Sequence, residues 1–289
     1  MQYFEERDGK LIFRYNGETV QVEAWGQDSL RVRSRVLGEI SEECSALTEE
    51  VAVHDAVISI QGEDSAEITN GRIKAVLYRQ GWGNALQITF YNEKGEVLLR
   101  EIPNGGALCL KARYFRSLAG GSFYLKASFQ SNDKEKLYGM GQYQQERMNL
   151  KGCNLELAHR NSQASVPFYV SSLGYGFLWN NPSVGEVHFG TNTTEWEAWS
   201  TDQLDYWITA GERPGDIEKN YAEVTGKAPM MPEYGLGFWQ CKLRYYNEKQ
   251  VLDIASEYKK RNIPVDVIVI DYYHWPRCGD YRFDEELSL

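Results

Sequence analysis

Several residue types and patterns are scarce in this sequence, and each scarcity narrows the choice of function. The 289 residues include five cysteines, scattered and without a Cys-x-x-Cys pair, so neither a disulfide framework nor a zinc site is expected. No apolar run approaches the roughly 20 residues that span a bilayer. With 31 basic and 41 acidic residues, the net charge is -10 and no basic cluster interrupts it. We therefore expect a soluble globular protein with neither a membrane segment nor a nucleic-acid surface.

Signals for export and for cofactor binding are also missing. The amino terminus lacks a basic segment followed by an apolar run, which predicts a cytoplasmic protein. His54, His159 and His188 lie in strand-like surroundings without the spacing of paired ligands, which favours structural or surface roles. The Gly-Met-Gly-Gln stretch at 139–142 lacks a third glycine and a following Lys-Ser/Thr, so we interpret it as a loop and not as a phosphate cradle. We expect no metal and no cofactor.

Aromatic residues are abundant by contrast. Eight Trp, 19 Tyr and 11 Phe make up 13% of the chain, which indicates a β-rich core and is compatible with a sugar-binding surface. Between about residues 10 and 210, short runs alternate polar and apolar residues and are bounded by Gly, Asn and Asp, which predicts a β-sandwich. The predicted strands are 11–15, 19–25, 30–33, 57–60, 73–78, 86–91, 96–100, 168–170, 177–179, 186–189, 194–199 and 204–209.

The pattern changes after residue 213. Residues 214–226 predict a connecting helix that Gly226 ends, and two prolines place a domain boundary near 227–232. A buried strand at 234–239, a helix that begins after Asn247 and a β-branched strand at 265–270 then predict a parallel strand-helix-strand unit. The sequence thus predicts a sandwich domain at 1–229 and the start of a parallel α/β domain at 230–289. Sixty residues cannot cover such strands, so we expect the front part of a larger protein.

The carboxyl end of the parallel strands is the expected ligand site, because the loops there converge above the sheet. Asp271 directly follows the second strand, with Tyr272, His274 and Trp275 beside it, and Trp239 is expected at the same end of the first strand. A carboxylate beside aromatic rings suits a sugar, whose hydroxyls need acceptors and whose ring faces are apolar. The alternative is an aspartate that only caps the next turn.

A set of short motifs supports a more specific interpretation. They occur at 137–142 (Leu-Tyr-Gly-Met-Gly-Gln), 167–169 (Pro-Phe-Tyr), 174–182, 237–240 (Gly-Phe-Trp-Gln), 244–245 (Arg-Tyr), 263–268 (Ile-Pro-Val-Asp-Val-Ile) and at Asp271. In order and spacing they resemble glycoside hydrolase family 31. The resemblance covers about 137–286, whereas 1–136 are similar only in strand pattern.

This resemblance implies a β-sandwich followed by the first βαβ unit of a truncated (β/α)8 TIM barrel, acting on α-glucosides or α-xylosides with retention of configuration. It also implies that Asp271 binds hydroxyls of the cleaved sugar and that Trp275 and 279–284 line the same pocket, as in α-xylosidases and transglucosidases. A loop of the sandwich reaches the pocket in the family, so Gln142–Arg147 and Arg160–Asn161 are further candidates for substrate binding.

The resemblance places the nucleophile and the acid/base on later barrel strands. A retaining mechanism needs two carboxylates about 5–5.5 Å apart, so we expect no catalytic residue in this chain and no activity from the chain alone. The expected partner is an oligosaccharide or glycoside, and open sheet edges also favour a homo-oligomer. Trp275 would favour xylosides if it closes the side where glucose carries its hydroxymethyl group. The alternative is a non-catalytic carbohydrate-binding or scaffold protein; a mutarotase is a distant third.

Overall fold

The computed structural model of the chain describes residues 3–49, 51, 56–80, 85–103, 105, 107 and 110–285. It divides into two compact units, Met1–Lys227 (unit 1) and Ala228–Leu289 (unit 2). His54 and one of the five cysteines, Cys109, lie outside the described residues.

Unit 1 consists mainly of antiparallel strands, as the alternating pattern predicts. Its strands are β1 (Phe4–Arg7), β2 (Lys10–Tyr15), β3 (Glu18–Ala24), β4 (Ser29–Val36), β5 (Val57–Gln61), β6 (Ser65–Asn70), β7 (Ile73–Gln80), β8 (Ala85–Asn92), β9 (Val97–Arg100), β10 (Arg113–Ser117), β11 (Phe123–Gln130), β12 (Leu137–Gln142), β13 (Asn154–Leu157), β14 (Ala164–Ser171), β15 (Tyr175–Trp179), β16 (Gly185–Phe189), β17 (Thr193–Thr201) and β18 (Leu204–Ala210).

The strands form two layers. One layer is an eight-stranded sheet in the order β1-β2-β3-β4-β18-β15-β14-β12. The other contains two five-stranded sheets, β5-β6-β7-β8-β9 and β10-β11-β17-β16-β13, which adjoin through a bridge between Glu101 and Phe129. Side chains of all three sheets share one apolar cluster, in which the Phe129 ring lies 5.6 Å from Phe177 and 5.7 Å from Tyr206. Unit 1 is therefore a β-sandwich with an aromatic core.

A helix covers the outer face of the eight-stranded sheet. Helix α1 (Pro214–Thr225) packs through Ile217 and Val224 into a second apolar cluster, and Tyr221 stacks on Phe168 at 3.9 Å. Gly226, with φ 98°, follows the helix where the sequence predicts its end. Because both faces of this sheet are covered, every residue of β18 is buried.

Unit 2 contains β19 (Trp239–Lys242), α2 (Glu248–Lys260) and β20 (Val267–Ile270), and the two strands are parallel as predicted. Asn247 caps α2, because its side chain accepts a hydrogen bond from the Gln250 N–H at 3.0 Å. Within the described residues, neither helix combines the length and apolarity needed to cross a bilayer.

Two local predictions are wrong. The buried strand expected at 234–239 begins only at Trp239, since Glu233–Leu236 form a 3-10 turn and the strand itself is largely exposed. The glycines at 139–142 lie in strand β12 and not in a loop. A register shift between Gly139 and Gly141 marks a bulge there, and both glycines have positive φ. A Cβ at Gly141 would lie 2.4 Å from the Ala164 carbonyl oxygen, so only glycine fits the close approach of the strands.

Candidate functional site

Asp271 lies at the carboxyl edge of the two-stranded parallel sheet. Lys242 and Ile270 are paired as the last residues of β19 and β20, so Asp271 is the first residue beyond that edge. A 3-10 turn, Tyr272–His274, follows at once, and the His274 Nδ1 lies 2.6 Å from the Asp271 carbonyl oxygen. Asp271 is half-buried. The turn thus fixes the backbone that carries this carboxylate, and the roles of Tyr272 and His274 in sugar binding stay predictions.

Aromatic side chains form a cluster next to this turn. Trp275 packs edge-to-face on Tyr281 at 5.0 Å, and His274 lies 5.7 Å from Trp275 and 5.2 Å from Phe283. The Asp284 N–H donates to the His274 carbonyl oxygen at 2.8 Å, which folds the following segment back over the turn. The structure therefore joins Trp275 to the 279–284 stretch, which the resemblance assigned to the same pocket.

Arg244 connects the loops that follow the two strands. Its guanidinium lies 4.7 Å from the centre of the Tyr273 ring and 5.0 Å from that of Tyr246. Such cation–π contacts hold a charged group beside aromatic faces. In the sequence Arg244 was part of a motif and not a site candidate. The signal that could have identified it is its position in the loop directly after β19, followed by two tyrosines.

Trp239 does not lie at the carboxyl end of the first strand, where the sequence predicts it. It pairs with Val267 at the amino end of the sheet, three residues before the carboxyl edge, a separation of roughly 10 Å at the rise of a strand. Its Nε1 donates to the Gly235 carbonyl oxygen at 3.1 Å. The expectation that the first strand delivers Trp239 to the end of Asp271 is wrong, because the strand begins at this residue.

The two candidates in the sandwich lie next to the start of β14. Gln142 ends β12 opposite Ala164, and Arg160 forms a bridge with Gln163. Gln142 borders a groove of about 830 Å³ that also contains residues of the predicted 142–147 loop. The Arg160 Nε donates to Glu156 Oε2 at 2.9 Å, and this carboxylate raises the pKa of the guanidinium. Gln142 is thus exposed beside a groove, whereas Arg160 is engaged in an ion pair; their contribution to a sugar pocket stays a prediction.

Both units match known protein families. Residues 19–187 match the glycosyl hydrolase 31 N-terminal galactose mutarotase-like domain, and 228–287 match the glycosyl hydrolases family 31 TIM-barrel domain. The chain belongs to glycoside hydrolase family 31. Its fold is mostly β, with a mutarotase-like domain followed by the start of the family's TIM-barrel domain.

Among curated relatives, the chain is 43% identical to "Uncharacterized family 31 glucosidase ORF2" of Pseudescherichia vulneris, a match that covers 96% of this chain and 55% of the relative. It is 32% identical to "Alpha-xylosidase A" of Aspergillus niger, over 99% of this chain and 41% of that protein. The family 31 chain therefore spans about half the length of these relatives.

Solved structures give the same assignment. A family 31 α-xylosidase from a soil metagenome, complexed with xylose, matches with a TM-score of 0.87 and 46% identity over 99% of this chain and 44% of that one. The xylosidase from Aspergillus niger matches with a TM-score of 0.79 and 32% identity, over 97% and 41% of the respective chains. These likenesses include both the sandwich and the strands that carry Asp271.

Proposed function

We propose that this chain is the amino-terminal part of a retaining α-glycosidase that hydrolyses O-glycosyl bonds of α-xylosides or α-glucosides. The observation that supports it best is the likeness to the xylose-bound α-xylosidase, which extends at 46% identity over 99% of this chain. Asp271 and its aromatic neighbours lie at the edge of the parallel strands, where ligands bind in barrels of this kind.

Asp271 is assigned to sugar binding. Its carboxylate at the carboxyl edge accepts hydrogen bonds from adjacent sugar hydroxyls, and charge-assisted bonds of this type are short and strong. The ring of Trp275, braced edge-to-face on Tyr281 at 5.0 Å, offers an apolar surface to the pyranose. Tyr272 and His274 belong to the 3-10 turn that directly follows Asp271 and are assigned to the same binding edge. Arg244 holds the opposite loop against Tyr273.

The bond-breaking groups are assigned to barrel strands that follow these two. Retention requires a nucleophile and an acid/base about 5–5.5 Å apart. Asp271 binds the sugar and performs neither role, so the 289-residue chain by itself is inactive. The parent enzyme therefore combines the binding edge of this chain with carboxylates at the ends of later strands.

Trp275 is assigned to selectivity for xylosides. Xylose lacks the hydroxymethyl arm of glucose, and a bulky ring on that side of the pocket excludes the larger sugar. The expected discrimination is on the order of 10–200-fold, as for one added carbon group in a closed pocket. The edge-to-face contact of Trp275 with Tyr281 restricts the ring's movement out of the way.

A chimera tests these roles. The chain is joined to the residues that follow the matched region in the soil-metagenome α-xylosidase, and hydrolysis of aryl α-xyloside and α-glucoside is measured. We expect turnover by the chimera and none by the chain alone. Asp271→Asn in the chimera should reduce kcat/KM by at least about 10²-fold. The matched control is Asp253→Asn, because that carboxylate lies on α2 in an exposed pair with Lys249.

Three results would contradict the proposal. Turnover by the purified chain alone would place the bond-breaking groups within it. Full activity of the Asp271→Asn chimera would remove this carboxylate from the pocket. An unchanged xyloside-to-glucoside ratio of kcat/KM in Trp275→Ala would show that this ring does not select the sugar. A well-folded chimera without any turnover, together with oligosaccharide binding by the chain, would favour the non-catalytic carbohydrate-binding alternative.

A further inference from the structure

The β10-β11-β17-β16-β13 sheet has a solvent-facing side with unusual side chains. Along β11 the inward residues Leu125 and Ala127 are buried, whereas the outward Tyr124 and Lys126 are half-buried. The outward series of the neighbouring strands includes Tyr114 and Trp199, which expose 40% and 44% of their surface. Aromatic rings are therefore presented to solvent on a rigid sheet. We call this surface the aromatic patch, formed by Tyr114, Arg116, Tyr124, Lys126, Glu197 and Trp199.

The rings of the aromatic patch are held in place by their neighbours. Tyr114 packs edge-to-face on Tyr124 at 6.5 Å, and the Arg116 guanidinium lies 4.7 Å from the centre of the Tyr124 ring. Burial and, secondly, the nearby Glu197 carboxylate raise the pKa of Tyr124. Tyr124 thus serves as a brace, and the more exposed Tyr114 and Trp199 remain accessible on either side of it.

Strand pairing sets the size of the patch. Tyr114 is opposite Lys126, and Lys126 is opposite Glu197, two residues before Trp199 on β17. Tyr114 and Trp199 therefore lie on strands two spacings apart, roughly 10 Å across the sheet, and Trp199 is displaced by two residues along its strand. This separation leaves room for a short chain of rings laid across β11, with Lys126 and Glu197 between the two aromatic side chains as donor and acceptor.

The charges of the patch favour a neutral ligand. The Lys126 Nζ is paired with Glu195 Oε1 at 3.2 Å, and Glu197 lies opposite Lys126 on the neighbouring strand. The positive charges of Arg116 and Lys126 balance the negative charges of Glu195 and Glu197, so the surface offers directed hydrogen bonds with little net attraction for a polyanion or polycation. With 40% and 44% of their surface exposed, Tyr114 and Trp199 together offer roughly 200 Å² for contact with a ligand.

We propose that the aromatic patch is a second carbohydrate site that binds a neutral oligosaccharide, by stacking on Tyr114 and Trp199 and by hydrogen bonds to Lys126 and Glu197. This inference goes beyond the glycosidase assignment, since it needs neither Asp271 nor any residue of unit 2. In a glycosidase such a site would retain a polymeric substrate on the sandwich domain.

Calorimetric titration of the whole chain with isomaltotriose and with a xyloglucan heptasaccharide tests the proposal. We expect binding at millimolar concentration or tighter, and a loss of roughly two- to tenfold in affinity in Trp199→Ala and in Tyr114→Ala. Tyr78→Ala is the matched control, because Tyr78 is 47% exposed on the other five-stranded sheet. Asp271→Asn should leave this binding unchanged, which separates the patch from the proposed site in unit 2.

Unchanged affinity in both patch variants, with their unfolding transition intact, would overturn the proposal. Heat that disappears in Asp271→Asn and persists in Trp199→Ala would do so as well, and would assign all binding to unit 2. The same holds for concentration-dependent sedimentation that Trp199→Ala abolishes, because the patch would then be a contact between copies of the chain. Absence of heat with both sugars at 10 mM would be equally decisive against it.

Discussion

The two units bury their apolar side chains to very different extents. In unit 1 all seven residues of β18 are buried, between the sandwich core and the layer that contains α1. In unit 2 all four residues of β20, Val-Ile-Val-Ile, are only partly buried, and among the described residues of α2 none is buried. Exposed large apolar residues of unit 2 include Met230, Tyr234, Leu236, Leu243, Tyr281 and Phe283.

This difference predicts that the stability of the chain and the role of Asp271 depend on different units. Continuous β-branched strands such as β20 belong to parallel sheets that are covered on both faces, and the described residues of unit 2 do not supply that cover. Unit 1 has a closed core of its own and is expected to unfold cooperatively. Unit 2 carries Asp271 on a scaffold with few buried contacts, so changes in the two units should affect different measurements.

The largest expected effect comes from the core of unit 1. Trp196 is fully buried and stacks on Trp179 at 5.5 Å. Trp196→Ala should lower the free energy of unfolding of unit 1 by about 3–5 kcal/mol, because it leaves a cavity among packed rings. Guanidinium unfolding measures it. Trp199→Ala is the control, since Trp199 is exposed on the same strand and should change stability little. Equal effects of the two substitutions would show that this core is not closed.

A buried ion pair gives the next effect. Arg113 donates to Glu101, which also accepts the Ile88 N–H at 2.9 Å, and both charged side chains are almost fully buried. Arg113→Met should cost about 3–5 kcal/mol, because Glu101 is left in the core without its cation. Arg14→Met is the control, because the pair of Arg14 with Glu5 is exposed and should matter little.

The same variant should show a stronger pH dependence of stability, and its sign follows from the pKa of Glu101. Burial raises the pKa of Glu101 above its ordinary 4.5, and removal of Arg113 raises it further. The folded state then keeps a proton that the unfolded chain releases, so the stability of Arg113→Met falls as the pH rises above 4.5. Unfolding curves at pH 5 and pH 7 measure this. Greater stability at pH 7 would contradict the assigned direction.

Much of the sandwich could be predicted from the sequence, because an alternating pattern directly reports which side of a strand is buried. Six strands in the described part of unit 1 are missing from the prediction, namely β1, β6, β10, β11, β12 and β13. Strand β12 was missed because its glycines are the usual sign of a loop, and here they permit a bulge. The 3-10 turn at Glu233–Leu236 was missed because its aromatic and glycine residues also fit a strand.

In the candidate site, the positions of some residues were predicted and those of others were not. Asp271 was placed well, since a run of β-branched residues ends immediately before it. Trp239 was misplaced because a strand boundary in error by a few residues moves a side chain to the opposite end of a short strand. The contact of Arg244 with Tyr273 joins two loops distant in sequence, so the position of Arg244 after β19 could mark the residue but not its partner.

A smaller effect is expected from the close contact that aligns the strands of unit 2. A Cβ at Gly237 would lie 2.0 Å from Asp266 Oδ2, and this oxygen accepts the Phe238 N–H at 2.8 Å. Gly237→Ala should destabilise the β19–β20 pairing by about 1–3 kcal/mol through overpacking. Hydrogen exchange of the β20 amides measures it, while unfolding of unit 1 stays unchanged.

Asp266→Ala provides the control for this contact. By itself this substitution removes only the hydrogen bond to the Phe238 N–H and should cost about 1 kcal/mol. In the Gly237→Ala background it also removes the clash. The double variant should then be less destabilised than the sum of the single changes. Strict additivity would show that Gly237 and Asp266 do not act on each other, and a loss of stability in unit 1 would show that the effect is not confined to the β19–β20 pairing.

The smallest effect concerns the start of α1, which covers the sheet of unit 1. Asp216 Oδ1 accepts from Arg213 Nη2 at 3.0 Å and Oδ2 from the Arg213 N–H at 3.0 Å, and these bonds hold the pKa of Asp216 below its ordinary 3.8. A lowered pKa means that the ionised form stabilises the fold above pH 3.8 and that this contribution disappears as the pH falls through the folded value.

Asp216→Asn should therefore lower Tm slightly at pH 6, by less than any core substitution, and the difference between the variant and the unsubstituted chain should disappear in acid. Glu218→Gln, on the exposed side of the same helix, should leave Tm unchanged at both pH values. A Tm difference that persists at pH 2 would show that the Asp216 side chain acts through its shape and not through its charge.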